Sequence, residues 1–314
     1  MKRALLLAAG LFLLVLVVLA IVADVRSLRG AWLGFPVQTL LPACALVLGN
    51  YALRTVRFRV LLQALGVRLP WPEAALVFIG GFVFSVTPGK MGEIAKGWLL
   101  HQRRAVPVTD TATVVVAERF TDVVGLLLLA AVGVAQHGAH VKLFVGVLGL
   151  CVAFLLGALQ PRLVPAVVSR LQLHWQGPGM GRLFAAVLRM HAVLAILCTP
   201  QRLALGVGLA AAAWFLECIA FRLLLDGAGA SGGLGGAVVV YAMATLFGAV
   251  SMLPGGVGTT EAVMVGLLLQ PGLAFGLDLP HATLATLLIR FSTLWFGVLC
   301  GALALVALRR LPVR

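Results

Sequence analysis

Acidic side chains are scarce in this 314-residue chain: ten Asp and Glu stand against 24 Lys and Arg, and charged residues make up only 11%. A soluble domain carries about 25%, so a water-exposed surface is excluded for most of the sequence. Cysteine pairing is missing as well. Cys44, Cys151, Cys198, Cys218 and Cys300 are scattered singly in apolar context, with no C-x-x-C, which leaves them as small buried hydrophobes. The six His show no H-E-x-x-H spacing, and no G-x-x-x-x-G-K-[ST] phosphate loop occurs. No nucleophile and base stand together either. No catalytic residue, metal or cofactor is therefore assigned, and ATP is not expected as the driving force.

What is present is apolar sequence: 62% of residues are hydrophobic, in repeated long runs. That is the pattern of an all-α, polytopic membrane helix bundle forming a single domain over residues 1–314. The net charge of +14 comes from bases clustered between the runs. In that setting the bases mark cytoplasmic loops and contact anionic lipid headgroups; no nucleic-acid partner is indicated.

Lys2 and Arg3 put the amino terminus in the cytoplasm, before a first helix over Ala4–Ala23 that reads as retained rather than as a signal peptide. A short loop over Asp24–Trp32 follows. Helix two, Val37 to Phe58, returns inward, with Arg54, Arg57, Arg59 and Arg68 as its cytoplasmic signature. The apolar stretch from Trp71 to Pro88 is too short to cross a core about 30 Å thick, and bases at Arg103 and Arg104 follow it. This predicts a re-entrant hairpin. Helix three is expected over Thr111–Ala135 and helix four over Val141–Leu159. Residues 160–200 read as a linker whose helix, Leu183–Leu197, lies on the cytoplasmic surface. A seventh crossing is the alternative there. Helix five, Leu203–Leu225, a second hairpin broken at Pro254-Gly255-Gly256, and helix six, His281–Leu308, complete about six full spans and two hairpins, with both termini cytoplasmic.

Three landmarks recur in order. Phe58-Arg59 with Gly66 matches Phe221-Arg222 with Gly229. Ser85-x-x-Pro88-Gly89-x-x-Gly92 matches Ser251-x-x-Pro254-Gly255-x-x-Gly258, and Arg119-Phe120-Thr121 matches Arg290-Phe291-Ser292. Residues 37–135 and 203–308 are thus expected to be two repeat units. With the topology above they would be inverted, as in secondary transporters whose sites lie between broken helices. A crossing at Leu183–Leu197 would cancel the inversion.

Candidate site residues follow from cost. Ionised groups in a membrane core must face the bundle interior and pair. Glu118 and Asp122 share a helix face and Arg119 reaches Asp122 at i,i+3, either as an internal ion-pair lock or as a headgroup site. Arg290 has no acid nearby in sequence, so its expected partner is Glu217, Glu93 or a substrate phosphate. Lys90 stands beside the first break. The half-helices after Pro88 and Pro254 would aim amides at an anion, with Glu93 and Glu261 in their first turns, either as site groups or simply as N-terminal stabilisers. Gly89, Gly92, Gly255, Gly256 and Gly258 permit tight turns and close helix contact.

P-G-K-M-G-E at 88–93, E-R-F-T-D at 118–122 and P-G-G-V-G-T-T-E at 254–261, in this order, resemble the lysylphosphatidylglycerol synthase transmembrane-region family, also called flippase-like domain proteins. The resemblance covers nearly the whole chain and points to the same motif residues. It implies a lipid flippase of the bacterial inner membrane, moving an anionic or zwitterionic phospho- or isoprenoid-lipid headgroup through a polar groove. Because the sequence ends at Arg314 without an aminoacyl-transferase domain, lysyl transfer is not expected. A lipid is then the main partner, with a second copy or a lipid-biosynthesis protein as further ones. The competing readings are an integral-membrane enzyme using Glu118 and Asp122 as acid–base groups, and a membrane scaffold subunit that moves nothing.

Overall fold

Within a bilayer a lipid-facing segment must satisfy its backbone internally, which favours helices. The computed structural model describes residues 25–85, 93, 95–137, 149, 157, 160, 162–175, 177 and 179–311, and among these every regular element is helical. The protein is a polytopic all-α membrane protein. Among the described residues four helical stretches are long and apolar enough to cross a membrane: Val37–Ala64, Met180–Leu197, Pro200–Gly227 and Leu279–Arg310. The expected first helix, most of the fourth and the first break at residues 86–92 lie outside the described residues.

Helix α1 (Val25–Gly34) occupies most of the stretch expected as a loop. A short 3-10 turn then leads into α2 (Leu40–Ala64), which runs on past Phe58, its expected end, to Ala64. After Gly49 no Gly or Pro occurs until Gly66, whose φ of +79° turns the chain. Helix α3 (Trp71–Gly80) continues as a 3-10 turn to Phe84, and α4 (Ala95–Arg104) lies against it. Helix α5 (Val108–His137) carries the E-R-F-T-D motif. Next come α6 (Leu163–His174), α7 (Met180–Leu197), α8 (Pro200–Gly227) and α9 (Leu234–Val250). Helix α10 (Thr259–Leu268) follows the second Pro-Gly break, and α11 (Leu279–Arg290) passes through a π turn, Phe291–Trp295, into α12 (Phe296–Arg310). The centre of the bundle is α2 packed along α8, flanked by α5; α9 lies against both α5 and α8.

Each hairpin returns to the end from which it starts. At the first, Glu73 near the start of α3 pairs with Arg103 (3.1 Å) and with Arg104, both at the end of α4. At the second, the Ser231 amide donates to Phe275 O at 2.9 Å, joining the chain before α9 to the chain after α10. The two mouths lie at opposite ends of one helical stretch. Leu279–Arg310 starts beside the second mouth, and its last carbonyls, Leu308 O and Leu311 O, accept from Arg103 at the first. Its 32 residues span about 48 Å at 1.5 Å per residue.

Positions 163 residues apart share local geometry. The rings of Phe58 and Phe78 meet at 5.6 Å and 46°, those of Phe221 and Tyr241 at 5.8 Å and 49°. Gly66 and Gly229 have φ of +79° and +83° and close the same pattern of amide-to-carbonyl bonds at their helix ends. Asn50 donates through Nδ2 to the carbonyl of Ala213, the position 163 residues on, at 2.8 Å where α2 and α8 cross.

Candidate functional site

Between the two hairpin tips lies a polar cavity of about 90 Å³, bounded by Tyr51 and Arg54 of α2, Glu93, Trp214 and Glu217 of α8, Tyr241 of α9, Thr260 and Arg290. A single water occupies roughly 10–15 Å³ on this measure, so the space holds several. Both hairpins and both long central helices contribute walls.

On one side of it the charges are densely linked. Asp122 is ion-paired with Arg57 at 2.7 Å, Arg119 at 3.0 Å and Arg54 at 3.1 Å. Glu93 takes Arg119 and Lys96, each at 3.2 Å, and Glu118 takes Lys96 at 3.3 Å. Lys96 is fully buried, with its ammonium over the rings of Phe78 (4.3 Å) and Phe58 (5.6 Å). Arg54 stands over Phe78, Phe82 and Trp214, so aromatic faces replace some of the solvation it has lost. Four cations and three carboxylates make this wall positive among the described residues.

The other side is organised by Arg290. Its Nε donates to Glu261 at 2.6 Å and its guanidinium also reaches Gly255 O at 2.7 Å. The expectation that Arg290 finds Glu217 or Glu93 is corrected: its partner is Glu261, twenty-nine residues upstream, across the hairpin. The amide of Gly258 is likewise not open to a ligand, since it donates to the other Glu261 oxygen at 2.6 Å. Glu261 thus both caps α10 and anchors Arg290. The turn feeding α10 is possible because Gly255, Gly256 and Gly258 sit at φ of +63°, +67° and +92°, where other residues are strained. Glu217 accepts the hydroxyl of Tyr241, and Tyr51 donates to Thr293 O at 2.8 Å in the π turn. π turns widen a helix and frequently mark functional positions.

Glu93, Arg54, Glu217 and Arg290 therefore meet at one cavity. Arg119 and Asp122 join it through Glu93 and Arg54, and Glu118 through Lys96. Pro254 lies in the 3-10 turn that carries Gly255 and Gly256 to the cavity wall. Pro88, Gly89, Lys90 and Gly92 lie outside the described residues. Sequence reasoning missed Arg54, Arg57, Lys96, Tyr51, Trp214 and Tyr241. Arg54 and Arg57 look like loop bases only if α2 ends at Phe58; the absence of Gly or Pro between Phe58 and Gly66 was the available signal.

Among the described residues two donors at the cavity have no acceptor: Arg54 Nε and Trp214 Nε1 are both buried and unpaired. A buried donor without a partner costs roughly 1–3 kcal/mol, so an oxygen-bearing ligand or water is the natural complement.

The family model described as lysylphosphatidylglycerol synthase TM region matches residues 5–301. No curated protein matches the chain.

Proposed function

Because the chain belongs to the lysylphosphatidylglycerol synthase TM-region family, we propose that it is a lipid translocase of the bacterial inner membrane. A headgroup with phosphate, anionic or zwitterionic, passes the central cavity while its tails remain in lipid. The observation that carries this reading is the polar cavity between two hairpins that open at opposite ends, with Arg54 Nε and Trp214 Nε1 still lacking acceptors. Phosphate oxygens would take those donors, Arg290 and Arg119 would exchange a carboxylate for the phosphate, and Glu217 would face an amine where the headgroup has one. The reading contains no bond-making step.

The matching ring pairs, helix ends and the Asn50–Ala213 contact support a duplicated unit, 37–135 and 203–308, with a pseudo-twofold axis near that contact. Opposite hairpin mouths are what inverted units require. Access would alternate as one unit rocks against the other. For residues 160–200, the pair of Arg189 in mid-α7 with Asp110 at the start of α5 (2.6 Å) favours a helix lying at the surface over a crossing, since a crossing helix would carry Arg189 away from that end.

Purified protein in vesicles should accelerate leaflet exchange of a labelled phosphatidylglycerol over protein-free vesicles. Arg290→Gln and Arg54→Gln should each reduce the rate at least tenfold, at unchanged reconstitution. Exchange in both variants at the wild-type rate would remove the assigned passage.

A further inference from the structure

A second cavity lies apart from the central one. Helices α4 and α12 enclose a cleft of about 950 Å³ at the first hairpin mouth, with Phe84 and Leu305 among its apolar lining. Its walls are mostly carbon and no acid lines it among the described residues. Its polar groups gather around Gln102, Arg103 and Arg309. Arg103 is committed, bonding Glu73 and the last carbonyls of α12. Arg309 is exposed at the helix end and makes no hydrogen bond or ion pair among the described residues. Trp98, 56% exposed, stands on the same cleft. Among the described residues at this end, four guanidiniums (Arg103, Arg104, Arg309 and Arg310) are offset by one carboxylate, Glu73. A long apolar trough beneath a cationic rim complements one kind of molecule: an amphiphile with an acidic head.

We propose that this cleft binds an acidic phospholipid, with an acyl chain between α4 and α12 and its phosphate at Arg309. The volume falls in the range of specific ligand sites, ~300–1,000 Å³. Trp98 supplies the interfacial ring that holds a lipid at headgroup depth. The site stands whether or not the central cavity transports. If it does transport, the cleft is its loading position: Phe84 lines the cleft and the next residue, Ser85, lines the central cavity, so the two spaces adjoin along the chain there.

The test uses the full chain in detergent, with phosphatidylglycerol or phosphatidylcholine added and counted by native mass spectrometry. Phosphatidylglycerol should survive gentle activation as one retained molecule and phosphatidylcholine should not. Arg309→Gln should weaken retention about fivefold, the equivalent of the roughly 1 kcal/mol that one basic residue contributes near an acidic head. Ala95→Trp, which fills the trough from α4, should abolish it. Both variants must elute as wild type does. A third variant, Arg310→Gln, controls for general surface charge and should change retention less than Arg309→Gln. Equal retention of the two lipids, or retention unchanged by Arg309→Gln and Ala95→Trp, overturns the proposal. So does a lipid-free dimer that disappears in those variants, because the cleft would then seat a second copy.

Discussion

Lys96 shows what burial demands of a charge in this protein. It reaches two carboxylates, Glu93 and Glu118, from a fully buried position. Removing one member of a buried pair leaves the other uncompensated, at a cost of about 3–5 kcal/mol. Lys96→Met should therefore lower the midpoint of thermal unfolding in detergent severely, and adding Glu118→Gln should recover part of the loss. Equal midpoints for Lys96→Met and wild type would show that the pairs contribute nothing. This residue also marks the limit of the sequence. Lys96, five positions before His101, is not singled out by any spacing, and charge counting cannot see which face of a short helix is buried. Arg119 with Asp122 was legible at i,i+3; Arg54 and Arg57 with Asp122 were not, since nothing local links residues 68 and 65 positions apart.

The break at Pro254-Gly255-Gly256 was the most legible element, because Pro and Gly there have direct mechanical consequences. It depends on Gly256, whose added Cβ would lie 2.7 Å from Thr260 Oγ1 and 3.1 Å from the Gly248 backbone. Gly256→Ala should destabilise by about 1–2 kcal/mol from the left-handed backbone alone, with more from that contact. Thermal unfolding reads this, and Gly266→Ala, where an added Cβ meets nothing within 4 Å, is the control. The first hairpin is clasped at its mouth. Burial pushes the Glu73 carboxyl up, but the hydrogen bonds from Arg104 and Arg103 outweigh it and hold the group below the ordinary glutamate range. A depressed folded value means the clasp contributes fully above the unfolded-state value and is lost as pH falls through the folded one. Stability should drop more steeply on acidification below about pH 4 in wild type than in Glu73→Gln. Parallel acid profiles would remove the clasp.

At the scale of the whole molecule, the all-α membrane class followed from composition, while the helix before Val37 and the partner of Arg290 needed three dimensions. The Arg290 partner was hidden because the hairpin folds back and brings Glu261 from an earlier element. The central claim is that two hairpins dip from opposite membrane faces and meet at a wet cavity. Its most direct test is labelling with a membrane-impermeant maleimide, in right-side-out and inside-out vesicles, of single cysteines at Gln102 and Ser231 in a chain whose five native cysteines are replaced. Gln102→Cys should react from the cytoplasmic face alone and Ser231→Cys from the opposite face alone. Reaction of both from the same face would contradict the account.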